Sequence, residues 1–245
     1  MRVRKKGCEF LKVFYILPYV IIFSFSEILL NEPQDCRVSE RLWHSIFGSV
    51  TAGEIQSLVP SMESIGAVFL FSLLFGNHIS KFWGSGSSMF FIRLSDRKQW
   101  GWRKITELYG LAFVYTGLYL VAELLIAVGS VTNPQPDGQT YLTVIILLIL
   151  LSLVFTATCL LVDLVSIRHG TAIGIFSVFV LVIVLETAGI LLFDHKLNMI
   201  LNPCCFHSGI VNSLSLACFK IAINIFYMGA VSAGMIRYIN HADIW

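Results

Sequence analysis

An eleven-residue run in the middle of the chain, Val144-Ile145-Ile146-Leu147-Leu148-Ile149-Leu150-Leu151-Ser152-Leu153-Val154, contains only Val, Ile and Leu apart from Ser152. It lies within a longer apolar stretch, residues 141–165, and about 20 such residues suffice for a helix to cross a bilayer. The composition of the chain agrees with a membrane protein. Of 245 residues, 56% are hydrophobic and 13% are charged, whereas soluble domains carry about 25% charged residues. An ordinary soluble domain, a disordered chain and a nucleic-acid-binding module are therefore excluded.

Long apolar runs recur six times along the chain and predict six membrane-spanning helices. These crossings use about half of the chain and leave no soluble domain of useful size. We therefore expect an all-α polytopic membrane protein with one transmembrane domain over residues 1–245. The predicted spans are residues 14–30, 58–75, 105–128, 141–165, 172–193 and 214–236.

The distribution of basic residues predicts that both chain ends lie in the cytoplasm. With six spans, 13 of the 17 Lys and Arg residues fall on the side of the two termini, and cytoplasmic loops are the ones rich in these residues. The first span also has features of a secretory signal, with Ser24-Phe25-Ser26 as a small-residue cleavage site. We expect it to be retained because its apolar run is long enough to span. Its removal would leave five spans.

Two loops carry further structural information. On the outer side, Leu42, Trp43, Ile46 and Phe47 have the spacing of a short amphipathic helix lying on the membrane. On the inner side, the segment 77–104 combines a Gly/Ser-rich hinge with interleaved apolar and basic residues. Ser95 or Asp96 could cap a helix start there, and Arg93 and Arg97 share a face if the segment is helical. This segment is either a basic loop that binds anionic lipid or a docking element for a protein.

Within that segment, Phe91-Ile92-Arg93-Leu94-Ser95-Asp96-Arg97-Lys98-Gln99-Trp100, followed by Lys104, resembles the connection between the second and third spans of small type-2 ABC exporter permeases. The nearest resemblance is to six-span bacterial permeases of bacteriocin and lantibiotic export or self-immunity. Leu201-Asn202-Pro203 and the broken segment after it are similar to the short outer helices that precede the last span in that family. The Gly/Ser hinge just upstream departs from the family pattern and leaves the start of the inner helix open.

The resemblance implies a function and a set of partners. The inner loop would form a short coupling helix seated in a cytoplasmic ABC ATPase, and a second, like or similar permease would complete the transporter in the bacterial cytoplasmic membrane. ATP and Mg²⁺ would be bound by the ATPase and no cofactor by this chain. The cargo would be an amphipathic peptide or a lipid-like molecule. The implied coupling residues are Phe91, Arg93, Leu94, Asp96, Arg97, Lys98 and Trp100.

Ionisable residues inside spans are costly in lipid and call for a functional hypothesis. Glu186 and Lys220 lie at similar depths in the fifth and sixth spans. They either form an ion pair, line a cargo path, or face an outer aqueous vestibule, and Glu63 near the outer face is open to the vestibule interpretation too. Glu123 and Asp163 lie nearer span ends, so we expect them to be interfacial.

Small residues and cysteines suggest two further contacts. In the last span Gly229, Ala230, Ala233 and Gly234 form two pairs spaced four apart, which allows close helix approach. The approaching helix belongs either to the same bundle or to a second permease subunit. Cys36, Cys204 and Cys205 are predicted outside, where a disulfide could persist, although the sequence does not determine pairing.

The sequence contains none of three common catalytic or nucleotide-binding motifs. It has no Gly-Lys pair and hence no P-loop, no His-Glu-x-x-His zinc motif and no Gly-x-Ser-x-Gly elbow. The chain therefore cannot hydrolyse ATP with a P-loop, and the resemblance implies a transport subunit and not an enzyme, with ATP hydrolysis by a separate chain. Two alternatives remain open. One is a non-transporting protein that sequesters a peptide or scaffolds a complex, and the other is a membrane-embedded lipid enzyme.

Overall fold

A computed structural model describes residues 11–22, 36–47, 58–83, 96–132, 135–192 and 214–241. Every regular element in these ranges is helical and none is a strand, which confirms the predicted all-α fold class. A short 3₁₀ helix, Ser80–Trp83, follows the third α-helix. The helices of the described ranges are α1 (Lys12–Ile22, whose first turn Lys12–Tyr15 is 3₁₀), α2 (Val38–Phe47), α3 (Leu58–Phe75), α4 (Arg97–Ser130), α5 (Gly138–His169), α6 (Thr171–Leu192) and α7 (Leu214–His241).

Four stretches of the described chain are long and apolar enough to cross a membrane: Ile65–Trp83, Arg97–Ser130, Gly138–His169 and Ser215–Asn240. The chain therefore has the multi-pass character expected from its sequence. The described apolar helices Lys12–Ile22 and Thr171–Leu185 are shorter, so the prediction of six crossings stays a prediction. The four long stretches differ in burial, from 61% of the most apolar window of α5 to 22% of that of α7. Of these four stretches, the α7 window has the smallest buried share within the described chain.

Aspartate side chains cap the starts of the two longest helices. At α4, Oδ1 of Asp96 accepts a hydrogen bond from the backbone N–H of Gln99 at 3.0 Å, so Asp96 is the cap among the two candidates that the sequence offered. At α5, Oδ1 of Asp137 accepts from the backbone N–H of Thr140 at 2.8 Å and from its Oγ1 at 2.7 Å. These bonds stabilise the ionised carboxylate, so the Thr140 hydroxyl first and its amide second lower the pKa of Asp137 below its ordinary value.

The described helices divide between two compact units, and each of the four long ones contributes to both. The first unit draws on Met1–Ala67, Phe113–Ser152 and Cys205–Ile221. Within it, the predicted amphipathic helix is present as α2, and it buries Val38 and Ile46. The hydroxyl of Tyr115 donates to the carbonyl of Ala67 at 3.1 Å and thereby links α4 to α3.

The second unit draws on Val68–Ala112, Leu153–Cys204 and Ala222–Trp245. Aromatic contacts join its helices. Phe71 of α3 stacks on Phe155 of α5 with ring centroids 5.6 Å apart, and Phe69 meets Phe179 of α6 at 4.3 Å. Such ring pairs add about 0.5–1.5 kcal/mol each beyond the area that they bury.

A single residue, Gly170, joins α5 to α6. Its φ of +88° is open to glycine at little cost, and its N–H donates to the carbonyl of Ser166 at 2.9 Å. One turn later α6 approaches α5 closely at Gly174, where an added Cβ would contact the Ser166 hydroxyl and lie 2.8 Å from the carbonyl oxygen of Val162. Two glycines thus allow a tight turn followed by close helix packing.

Candidate functional site

The predicted coupling residues lie partly inside the described chain. Asp96 caps α4, and Arg97, Lys98 and Trp100 occupy its first turns, with Lys98 exposed and Arg97 and Trp100 half-buried. The remaining three predicted coupling residues, Phe91, Arg93 and Leu94, lie outside the described residues.

The basic start of α4 is continuous with the helix that spans. The sequence predicted a short coupling helix followed by a span beginning at residue 105, but one helix runs from Arg97 to Ser130. Gly101, the residue best suited to break it, is buried. A Cβ there would lie 2.6 Å from Cδ1 of Ile236 and 3.1 Å from Cδ1 of Ile239. Gly101 therefore lies in close contact with α7, and α4 continues through it without a break.

A ring contact ties the start of α4 to the chain that leaves α3. The rings of Phe82 and Trp100 meet edge to face, with centroids 5.3 Å apart and planes at 87°. Nζ of Lys104, one turn along α4, lies 5.5 Å from the centroid of the Phe82 ring. An aromatic ring accepts a cation on its face and another ring's edge for the same electrostatic reason. Phe82 is therefore the residue that connects both described ends of segment 77–104.

A buried carboxylate holds the same turn to α5. Asp163 is fully buried, and its oxygens accept the backbone N–H of Ser80 at 2.8 Å and that of Ile79 at 3.1 Å. These two amides belong to the start of the 3₁₀ helix, whose N–H groups have no partner within the helix itself. Asp163 thus acts as a cap supplied from another helix. Sequence reasoning expected only an interfacial acid here.

Asp163, Phe82 and the start of α4 form what we call the coupling cluster, defined by Ile79, Ser80, Phe82, Trp100, Lys104 and Asp163. All of its members belong to the second unit. The cluster links three elements of that unit, namely the turn after α3, the basic start of α4 and the second half of α5. Its contacts are hydrogen bonds from backbone amides to the carboxylate of Asp163, one ring pair and one cation–ring contact.

The intramembrane charges predicted to line a cargo path are partly described. Lys220 is fully buried in α7. The side chains of Glu63 and Glu186 lie outside the described residues, so the Glu186–Lys220 pair stays a prediction. Two further buried charges are described: Glu123, for which the expected interfacial position is wrong, and Arg41, which the sequence did not single out as a site residue. Glu123 is fully buried, and Arg41 donates from Nε to Oγ of Ser130 at 3.1 Å.

The small residues of the last span lie on an exposed face of α7. Gly229, Ala230, Ala233 and Gly234 are all exposed, and a Cβ added at either glycine would meet no described atom within 4 Å. Packing against a helix of the same bundle therefore does not account for them within the described chain. The face is open to lipid or to a second subunit.

The structure describes only part of the predicted disulfide and shows no metal site among the described residues. Cys36 is half-buried, whereas Cys204 and Cys205 lie outside the described residues. Among the described side chains, no three His, Cys, Asp or Glu residues are grouped closely enough to hold a metal ion.

Comparison with protein-family models, with curated proteins and with solved structures gives no match for this chain.

Proposed function

We propose that this chain is the membrane-spanning permease subunit of an ATP-driven ABC exporter. It would pair with a second permease, and separate ATPase chains would hydrolyse ATP with Mg²⁺. The cargo would be an amphipathic peptide or a lipid-like molecule, in a system of antimicrobial-peptide export or self-immunity. The bacterial cytoplasmic membrane, six spans and cytoplasmic termini belong to the same proposal.

The observation that carries the proposal is the coupling cluster. A force applied to the basic start of α4 would reach the turn after α3 through Phe82. From that turn it would reach α5 through the carboxylate of Asp163. A lipid-binding loop has no need of such links, because it only has to lie on the membrane surface. A coupling element does need them, because its displacement has to tilt the spans.

The charges at the start of α4 also favour an external partner. Arg97 and Lys98 occupy the first helical turn, where the helix dipole disfavours positive charge by about 0.3–1 kcal/mol each. Ion pairs within α4 do little to offset this cost. Its acid Glu107 pairs with Lys104 and lies 3.5 Å from Nε of Arg103, which are farther along the helix than Arg97 and Lys98. Basic residues at this electrostatically unfavourable position could instead pair with an acidic surface on another protein.

The exposed face of Gly229, Ala230, Ala233 and Gly234 supports pairing with a second permease. Small residues permit close backbone approach, which drives helix association in lipid. Three residues were predicted to line a cargo path. Of these, Lys220 is fully buried in α7, which agrees with a charge held inside the protein. The roles of Glu63 and Glu186 rest on the sequence alone.

A charge-reversal experiment tests the coupling assignment. Arg93→Glu together with Arg97→Glu should abolish recovery of the ATPase with the tagged chain and abolish export or immunity. The matched control is Arg168→Glu with Arg237→Glu, which makes the same charge change at the ends of α5 and α7 and should leave ATPase recovery intact. Full function in the first double variant would overturn the coupling assignment. It would favour the sequestering or scaffolding alternative, or the lipid-enzyme alternative.

A further inference from the structure

A groove lies between the end of α5 and the end of α7, within the second unit. It has a volume of about 530 Å³ and is lined by Leu164, Arg168, Gly234, Arg237 and Tyr238. Both arginines are exposed, and in the described chain no carboxylate lies within salt-bridge distance of either guanidinium. Two cations from different helices therefore face one concave surface, and neither has an acidic partner among the described residues.

The groove is built around one aromatic ring. The guanidinium carbon of Arg168 lies 5.5 Å from the centroid of Tyr238, and the ring of Trp83 lies 6.1 Å from it on a different element. Stacking on a ring restricts the long arginine side chain before any ligand arrives, which reduces the entropy lost on binding. A guanidinium held in this way offers paired N–H donors to phosphate oxygens.

The rest of the lining is apolar or small, and α7 carries exposed apolar side chains farther from the groove. Leu164 and Gly234 form the wall on the side of the helix bodies. On α7, Ile225 and Phe226 are exposed apolar side chains farther from the helix end. A ligand with an anionic head and apolar chains could contact both the arginines and the apolar surface beside them, whereas a small soluble anion would contact only the arginines.

We propose that this groove binds the phosphodiester headgroup of an anionic membrane phospholipid. Arg168 and Arg237 contact the phosphate oxygens, Tyr238 holds Arg168 in place, and the acyl chains lie along the apolar surface of the helices. The site does not depend on the ATPase or on the cargo, and it shares Gly234 with the face proposed for a second permease. It would hold lipid equally well if the proposed export function were wrong.

The test uses the full-length chain purified in detergent and native mass spectrometry with added phosphatidylglycerol or phosphatidylcholine of identical acyl chains. We expect preferential retention of phosphatidylglycerol. Arg168→Gln with Arg237→Gln should weaken that retention by roughly 30-fold, since each basic residue near an anionic lipid surface contributes about a 5- to 6-fold factor. Tyr238→Leu should give a smaller loss, and Tyr238→Phe, which keeps the ring, should give almost none.

The matched control is Lys12→Gln with Arg37→Gln, which removes the same charge at two residues that do not line the groove. It should leave lipid retention unchanged. Equal loss in both double variants would mean general charge attraction and would overturn the site, as would no loss in the first. Displacement of the lipid by excess inorganic phosphate would instead assign the groove to a soluble phosphate. Loss of ATPase recovery with lipid retention intact would assign it to a protein partner.

Discussion

Replacing Asp163 tests whether this carboxylate holds the turn after α3 to α5. In Asp163→Ala, the backbone N–H groups of Ile79 and Ser80 both lose their acceptor. Each unsatisfied buried donor costs about 1–3 kcal/mol. Two of them cost about 2–6 kcal/mol, and removal of a buried charge offsets part of this. We therefore expect the free energy of local opening at the turn to fall by about 2–4 kcal/mol.

Asparagine gives a graded version of the same perturbation. Its single carbonyl oxygen can accept from Ser80, the closer donor, but its NH₂ group repels the remaining backbone N–H. We expect a loss of about 1–2 kcal/mol, which follows from leaving one donor unsatisfied. Asp163→Asn also keeps the volume of the side chain, so the test survives if the alanine variant does not fold.

Hydrogen exchange read by mass spectrometry measures this effect directly, because exchange of a protected amide reports its local opening free energy. For peptides covering residues 77–83, the exchange rate should rise roughly 30- to 700-fold in the alanine variant and roughly 5- to 30-fold in the asparagine variant. Peptides from the first half of α5 should be unaffected.

The control is Asp137→Asn, the same substitution on the same helix at its exposed cap. Asn caps helices about as well as Asp, so neither the turn nor the start of α5 should change. Exchange at residues 77–83 that stays within about two-fold of the parent protein in both Asp163 variants would refute the reasoning.

Three further predictions follow from the packing, the cap of α5 and the open face of α7. Gly174→Ala should destabilise the protein by about 1–3 kcal/mol, because its Cβ would overlap α5, whereas Gly129→Ala, which meets no described atom, should stabilise it by up to about 1 kcal/mol. Thermal unfolding in detergent compares them, and equal effects would contradict the packing. The pKa of Asp137 in the folded state should lie below the ordinary 3.8, so its contribution to stability is present above that pH and is lost as pH falls through the folded value. Carbon NMR titration checks this, and Thr140→Val should raise the midpoint toward the ordinary value. Gly229→Leu should leave the fold intact and disrupt pairing with a second permease, as judged by cross-linking in membranes, and undiminished pairing would exclude this face as the interface.

The helices could be predicted from sequence because a long apolar run in a membrane must satisfy its backbone hydrogen bonds internally, which a helix does. The predicted and observed bounds of α3 coincide at Leu58 and Phe75. Other helices extend past their apolar stretches, as α4 does from Arg97 to Lys104. Hydropathy predicts only the apolar part of such a helix, whereas its backbone hydrogen bonds continue into the polar residues.

The coupling cluster could not be predicted in the same way. Asp163 and Ser80 are separated by 83 residues, and no local pattern connects a single acid in one span to backbone amides after another. The start of α4 gave a local signal, because Ser95 and Asp96 were both candidate caps, and the structure identifies Asp96. The spacing of Gly229 and Ala233 indicated that small residues share a face, but only the packing determines that this face points outward.

The central claim is that this chain works with an ATPase, and recovery of the tagged chain from its native host tests it most directly. The membrane fraction would be solubilised in mild detergent and the eluate read by mass spectrometry. The account predicts a stoichiometric P-loop ATPase in the eluate of the parent chain and its loss from Arg93→Glu with Arg97→Glu. An eluate without any ATPase, from cells shown to express one, would contradict the account and favour a sequestering or scaffolding protein.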